Sequence, residues 1–278
     1  MSVQNKLNVF TGDTVSKKQP PELPDDEELR HEIAPDWRYD FDVNEVDKID
    51  ELRRRIRDTV IADDPIEAWS HIIKDHIRCG NNKLAKEIAI WNYGGAAHDC
   101  VNLGTKHCQV EAEDCYAHQN EDFYPHALPR RRREQIITEH LDAVTFARAM
   151  RRVFERKQNE VTALRLNESG DVETRYDLLK INEIGRRLND IVDTYIYSAS
   201  DWLPWEEDLN EEYCTVNRSN DRKQFGSRRF EVVDTVEEIP ENGLHCPHDL
   251  SDGDIKCGDC RLCIDQDAPN VYVVNFYN

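Results

Sequence analysis

Seven of the nine cysteines fall into two groups whose spacing is typical of metal ligands. The distal group has the spacing C-x10-C-x2-C-x2-C and comprises Cys246, Cys257, Cys260 and Cys263. Zinc sites commonly use two separated pairs of ligands, whereas a triplet at every third residue wraps a short loop around a cubane, as in bacterial ferredoxins. The spacing therefore favours an iron–sulfur cluster of the 4Fe–4S type, with zinc as the alternative metal.

The proximal group follows a predicted strand and a Gly94-Gly95 turn, and consists of Cys100, Cys108 and Cys115. Three thiolates are one ligand short of a tetrahedral set. Three histidines stand in the same stretch, His98, His107 and His118. If one of them supplies the fourth ligand, the site is a closed structural zinc site; otherwise one metal position stays open for water or substrate. The spacing leaves both alternatives open.

Positive charge is concentrated directly after the proximal group, in "LPRRRREQ". The residues concerned are Arg130, Arg131, Arg132 and Arg133. Such a run predicts contact with an anionic ligand or a nucleic-acid backbone. The competing interpretation is a set of solvated arginines paired with carboxylates.

Short runs of β-formers alternate with helical stretches from residue 87 onward. These runs are "EIAIWNY", "VTALRLN", "TYIYSAS", "YCTVNRS", "RRFEVVD" and "VYVVNFY". Strand alternating with helix predicts an α/β fold with a parallel, partial or complete TIM-barrel-like sheet and a cysteine-rich C-terminal loop. Such folds place their sites at the C-terminal ends of strands.

Three regions are predicted along the chain. Residues 1–42 are rich in proline and acid and predict an extended or disordered arm. Residues 43–79 show two apolar stripes at helical spacing, the second capped by Asp64 with Pro65 in its first turn, and predict a helical N-terminal region. Residues 80–278 form the predicted metal-binding α/β domain.

The charge balance is strongly acidic, with a net charge of −20 from 36 basic and 56 acidic residues. Only 12 Lys stand against 24 Arg, while Asp contributes 30 carboxylates. This balance argues against nucleic-acid binding by bulk charge and favours a salt-rich cytoplasm, as in haloarchaea, over that of an acidic mesophile. No membrane span or apolar secretion signal is apparent, so a cytoplasmic protein of a halophilic host is expected, with its clustered cysteines as metal ligands.

The order of motifs over residues 81–265 resembles that of the phage and plasmid "gene product 88" proteins. The shared features are "NNKLAKEIAIWNYGGA", a cysteine-rich loop ending in "CYA", an Arg-rich segment, "LRLNESGD", "YIYSAS", "VNRS", and a closing "CP" with "CGDCRLC". The layout of that family is similar to that of radical S-adenosylmethionine enzymes. In those enzymes, three cysteines after the first barrel strand bind a 4Fe–4S cluster, and C-terminal cysteines bind an auxiliary cluster.

The resemblance implies S-adenosylmethionine as a cosubstrate and assigns roles to particular residues. The three proximal cysteines would bind the catalytic cluster, Tyr116 would lie next to the adenine site, and Glu168 would approach the amino group of the cosubstrate. The C-x7-C-x6-C spacing here differs from the C-x3-C-x2-C of the radical enzymes.

Two functional hypotheses follow from the sequence. In the first, the protein is a metal-cluster protein, an enzyme of radical type acting on an unknown substrate. In the second, zinc only fixes the loops of a virus- or plasmid-encoded binding protein that contacts nucleic acid through its arginines. No Walker A, G-x-G-x-x-G or G-x-S-x-G motif supports nucleotide hydrolysis or serine chemistry.

Overall fold

The structure is a computed structural model. It describes residues 43–81, 83–105, 107–108, 110, 115–156, 160–219, 228–265 and 267–274. All of these residues belong to one compact unit that spans Asp40–Asn278. The predicted arm of residues 1–42 lies outside the described residues. Within the described ranges, no helix combines the length and the apolar character needed to cross a membrane.

Helices and strands alternate along most of the chain. The helices are α1 Val43–Thr59, α2 Pro65–His76, α3 Tyr116–Phe123, α4 Ala127–His140, α5 Ala143–Arg156, α6 Arg175–Leu188, α7 Trp205–Asp208, α8 Pro247–Leu250 and α9 Cys257–Cys260, with 3-10 turns at Ala97–Asp99 and Val236–Glu238. The strands are β1 Arg78–Cys79, β2 Ile88–Trp91, β3 Ala163–Leu166, β4 Asp193–Ser198, β5 Thr215–Ser219, β6 Arg228–Val233, β7 Leu244–His245 and β8 Val271–Val274. The six predicted strands are confirmed, while the two-residue strands β1 and β7 were not predicted.

The strands form one sheet in the order β1-β2-β3-β4-β5-β6-β8-β7. Only β1 runs antiparallel to its neighbour, and every other described pairing is parallel. The predicted α/β class with a mostly parallel sheet is therefore confirmed. The described pairings run from β1 at one edge to β7 at the other and do not show closure into a barrel.

The strand order determines where the helices pack. Strands β2 to β6 lie side by side in chain order, and right-handed crossovers between parallel neighbours then place every connecting helix on the same face. The large apolar core lies on that helical face, where Trp91, Leu164 and Ile196 point toward α2, α5 and α6. The opposite face, called here the inner face, carries alternate strand residues such as Ile90, and Tyr195 two strands away.

The helices follow the predicted patterns. Asp64 accepts a hydrogen bond from the Glu67 N–H and Pro65 is the first residue of α2, as predicted. The helix ends at His76 instead of near Cys79, because the chain turns there into β1. Helix α1 contributes Leu52 and Ile56 to the same apolar core as the sheet. The predicted N-terminal helical region thus shares its core with the α/β region.

Candidate metal and cosubstrate sites

The turns after β2 and β3 bind each other at the C-terminal edge of the sheet. The Asn92 side chain accepts hydrogen bonds from the N–H groups of Glu168 (2.9 Å) and Ser169 (3.1 Å). In return, the Asn167 side chain accepts one from the Gly94 N–H at 2.6 Å. A side chain at Gly94 would collide with the backbone of Asp171, so the close approach of the two turns requires glycine there.

Asp171 connects the proximal cysteine segment to this edge. Its buried carboxylate accepts hydrogen bonds from the Asn102 side-chain amide at 2.6 Å, the Ala199 N–H at 2.7 Å and the Ser198 hydroxyl. Burial raises the pKa of Asp171, although these donors oppose the increase. Since Asn102 follows Cys100 by two residues, Asp171 fixes the first proximal cysteine relative to β3 and β4.

The proximal cysteines lie within electrostatic reach of one another. Burial, the charge of Asp171 and the neighbouring thiols of Cys108 and Cys115 raise the pKa of Cys100 well above its ordinary value, although a backbone hydrogen bond from Asn102 opposes the rise. All three side chains are partly exposed, and none of the nine cysteines forms a disulfide. The thiols of Cys108 and Cys115 thus lie near enough to Cys100 to affect its pKa.

The histidines proposed as a fourth ligand each contact a carboxylate. His107 Nδ1 lies 2.5 Å from Asp201 Oδ1, and His98 and His118 both contact Asp122. Within the described ranges, the one group of three or more ligand atoms that all lie within 4.8 Å of one another is His98, His118 and Asp122. No cysteine belongs to this group. A tetrahedral zinc site needs sulfur atoms about 3.8 Å apart, whereas a cubane spaces them more widely because each thiolate binds a different iron.

Tyr116 and Glu168, the two residues assigned to the cosubstrate, lie together. Tyr116 is the first residue of α3, directly after Cys115, and its hydroxyl donates to the Glu168 carbonyl oxygen at 2.8 Å. The Tyr116 side chain is 61% exposed, so one face of its ring is accessible. The structure thus places both residues next to the last proximal cysteine.

The Glu168 carboxylate is surrounded by guanidinium groups. It forms an ion pair with Arg78 and lies 3.4 Å from Arg131 and 3.8 Å from Arg130. Burial would raise the pKa of Glu168, but attraction by Arg78, Arg165 and the other two arginines holds it below its ordinary value. The carboxylate is therefore ionised, and its charge is more than balanced by its neighbours.

The predicted arginine patch lies mostly inside this ion-pair network. Arg131 is 1% exposed and binds the buried Glu121 carboxylate at 2.6 Å. Arg132 makes a two-point contact with Asp99, at 3.0 and 3.1 Å. Arginines buried against carboxylates do not present their charge to a nucleic-acid backbone.

Three of the four distal cysteines, Cys257, Cys260 and Cys263, belong to a loop, residues 255–265, that packs on the inner face, while Cys246 directly precedes α8. Three inward side chains of β5 and β6 donate to three successive backbone carbonyls of this distal loop. Thr215 Oγ1 binds Ile264 O at 2.8 Å, Asn217 Nδ2 binds Cys263 O at 2.8 Å, and Arg228 binds Leu262 O. The Cys257 N–H also donates to Lys83 O at 3.2 Å, just before β2. The distal loop is therefore fixed from several strands.

Cations lie around the distal thiols. Burial raises the pKa of Cys257 to about 11, and the charges of Lys83 and Arg165 oppose that increase. Burial also raises the pKa of Cys263, and Arg228 opposes it. The charge of the Cys246 thiol acts to raise the pKa of the other three distal cysteines, so the four side chains lie in one neighbourhood. Nearby cations would favour a bound group that carries net negative charge.

Arg165 lies on the inner face near both Cys257 and Glu168. Its side chain points along the inner face, where its guanidinium stacks 4.7 Å over the Tyr197 ring and its Nε donates to Asn167 O at 3.1 Å. Its charge acts on Cys257 at one end and on Glu168 at the other. One inner-face residue thus connects the surroundings of both groups.

Comparison with protein-family models, with curated proteins and with solved structures found no match to this chain. The site is therefore interpreted from its own geometry. Sequence reasoning missed the buried carboxylates Glu121 and Asp171 and the inward Asn217 and Arg228. For Asn217 and Arg228, a detectable signal was the presence of polar residues at alternate positions of the predicted strands.

Proposed function

We propose that this chain is an iron–sulfur protein and an enzyme of the radical S-adenosylmethionine type. The observation that carries the proposal is the contact between Glu168 and Tyr116, the residue directly after Cys115, at the C-terminal edge of a parallel sheet. When bound there, a 4Fe–4S cluster with one iron free of cysteine supplies a binding position for the methionyl group and the electron that cleaves the sulfonium C–S bond. The sheet would then be a partial TIM-type barrel, whose sites lie at this edge.

The polar groups around Glu168 fit a zwitterionic amino-acid moiety. Glu168 offers a carboxylate for an ammonium group. The Nε donors of Arg78 and Arg131 are buried and make no hydrogen bond among the described residues, while Arg130 Nε lies 3.4 Å from Glu134 Oε1. Buried polar groups without partners are rare, and their presence suggests a ligand or water that completes the hydrogen bonds. Guanidinium groups beside a carboxylate would bind the two charges of a methionyl group at once.

The exposed ring of Tyr116 fits the role implied for it. Because its hydroxyl is held by Glu168 O, the ring is fixed over the same edge and offers a flat apolar surface for stacking with a purine.

A second candidate function is a zinc-stabilised binding protein. The distal loop supports a purely structural metal, because it is bound to β5 and β6 by three successive carbonyls. The buried state of Arg131 and the ion pairing of Arg132 weaken the nucleic-acid part of this alternative.

The proposal also places the protein in the cytoplasm of a halophilic host, from a virus or plasmid of such a host. The support is the net charge of −20 and the scarcity of Lys relative to Arg. Multimolar salt would screen the self-repulsion of so many carboxylates.

The test is metal content followed by turnover. Full-length protein prepared anaerobically with iron and sulfide is expected to be brown, with broad absorbance at about 400 nm, and to cleave S-adenosylmethionine once reduced. Cys115→Ser should lose cleavage and the proximal cluster. Cys214→Ala is the matched control, because that thiol is buried away from both groups and should leave both clusters and cleavage intact.

Two results would overturn the proposal. Colourless protein with stoichiometric zinc would favour the binding protein. A parent protein that holds both clusters and never cleaves the cosubstrate would remove the enzymatic part.

A further inference from the structure

We propose that His98, His118 and Asp122 form a third metal site, which binds a divalent transition ion such as Zn²⁺ independently of both cysteine groups. His98 Nε2 lies 2.8 Å from Asp122 Oδ1, and His118 Nδ1 lies 3.3 Å from Asp122 Oδ2. The two imidazole rings stack 3.8 Å apart at an angle of 20°. One nitrogen from each ring and one carboxylate oxygen thus lie within 4.8 Å of one another.

The three donors have the chemistry and spacing of a transition-metal site. Two imidazoles and one carboxylate suit zinc and its first-row neighbours. Metal–nitrogen and metal–oxygen bonds of about 2.0–2.2 Å give a tetrahedron with edges of about 3.3 Å. The two observed contacts, which go to different oxygens of Asp122, lie within about half an ångström of that edge, and the stacked rings must rotate apart so that both nitrogens point at one ion.

The ligands are held in place by a buried ion pair that is separate from them. Glu121 lies on α3 beside Asp122, and its carboxylate accepts hydrogen bonds from the backbone N–H groups of Ala97 (2.7 Å) and His98 (3.0 Å). Arg131 holds the same carboxylate at 2.6 Å. The turn that carries His98 is therefore locked against the helix that carries the other two ligands. This arrangement reduces the entropy lost when a metal binds.

The site leaves room for an additional ligand. The side-chain exposures are 29% for His98, 20% for His118 and 59% for Asp122, so the group is open to solvent on one side. Three protein ligands with a free position are typical of zinc that carries a bound water. The three residues form a metal site of the open type.

The position of the site gives it a structural consequence. His98 precedes Cys100 by two residues, and His118 follows Cys115 by three. A metal at this site would therefore tie together the two ends of the proximal cysteine segment. The histidines that sequence analysis offered to the cysteines would serve a different metal.

Cobalt binding by the full-length protein tests the proposal, because thiolate ligands give Co²⁺ strong charge-transfer absorption and imidazole and carboxylate ligands do not. Under reducing conditions, equilibrium dialysis with Co²⁺ alone should show one equivalent of bound cobalt in addition to the cobalt that gives thiolate charge-transfer absorption. His118→Ala should abolish that equivalent, and Asp122→Asn should weaken it by roughly tenfold or more. Thiolate-bound cobalt should remain in both variants.

His126→Ala is the matched control. His126 is exposed, follows the last residue of α3 by three positions and makes no side-chain capping bond at the start of α4. It should bind Co²⁺ like the parent, and Cys115→Ser should retain the non-thiolate equivalent even if the proposed cluster is lost. Unchanged non-thiolate binding in His118→Ala, or its absence from the parent, would show that the group is an ordinary His–Asp ion pair. Thermal unfolding without metal checks that the variants fold.

Discussion

The two cysteine groups differ in what holds them. The distal loop is fixed by inward side chains of two strands that bind successive carbonyls, and its thiols lie among cations. The proximal segment is attached through side-chain contacts at Asn102, His107 and Tyr116, and its first thiol faces the carboxylate of Asp171. The distal loop is thus held through its main-chain carbonyls, whereas these contacts of the proximal segment are made by its side chains.

This difference has a physical basis in the number and direction of the anchors. Backbone carbonyls that accept from buried side chains fix the main chain itself, so the distal sulfur positions follow from the fold of the sheet. In the described part of the proximal segment, Asn102 and His107 are bound through their side chains, and Glu121 holds the backbone only at Ala97 and His98 before the first cysteine. Because metal binding is coupled to local folding, loss of the proposed metals is expected to have different effects at the two cysteine groups.

The largest effect is expected from cysteine replacement. Cys257→Ser should release the distal metal and loosen residues 244–274, because metal binding and local folding are coupled there. Cys115→Ser should empty only the proximal group and leave the distal metal in place. Iron and sulfide content, together with hydrogen exchange over residues 244–274, measures both outcomes. Equal loosening of residues 244–274 in both variants would show that the two cysteine groups do not differ in how metal binding is coupled to local folding.

Glu168→Gln should have the next largest effect, because it leaves Arg78 and Arg131 without their shared anion. Breaking a mostly buried ion pair in this way is expected to lower the free energy of unfolding by about 2–3 kcal/mol near neutral pH. Urea unfolding of the variant and the parent in the same salt measures the difference. Glu155→Gln, at an exposed carboxylate on α5, is the control and should stay within about 0.5 kcal/mol of the parent.

Acid should remove the effect of Glu168→Gln. The folded pKa of Glu168 lies below its ordinary value of 4.5, so the unfolded chain binds the proton more readily and the ionised carboxylate stabilises the fold above that range. This stabilisation is lost as the pH falls through the folded pKa. The difference between parent and variant should therefore shrink on acidification below about pH 4.5. A difference that grows instead would mean that the arginines do not stabilise the charged carboxylate.

The sequence predicts some levels of this structure better than others. Apolar stripes at helical spacing located α1 and α2 within residues 43–79, because amphipathic periodicity directly reflects one-sided burial. The short strand β1 left no such signal, since two residues cannot show a period. The run of arginines predicted a surface, but Arg131 is buried against Glu121 and Glu168, two contacts that the spacing of the run does not reveal. Spacing identified the cysteine groups but could not reveal the side chains that hold them.

The smallest expected effect comes from a single hydrogen bond to the distal loop. Thr215→Val keeps the side-chain shape but leaves the buried Ile264 carbonyl without its donor, which should lower the free energy of unfolding by about 1–3 kcal/mol and weaken distal metal binding. Thr194→Val on the neighbouring strand is the control. Its hydroxyl is buried and has no hydrogen-bond partner within the described residues, so removing it should be neutral or stabilising. Denaturant unfolding with and without the metal separates the two effects. If both substitutions lower the free energy of unfolding equally, the loss reflects the change from hydroxyl to methyl in a buried strand. The hydrogen bond from Thr215 to Ile264 O would then not hold the distal loop.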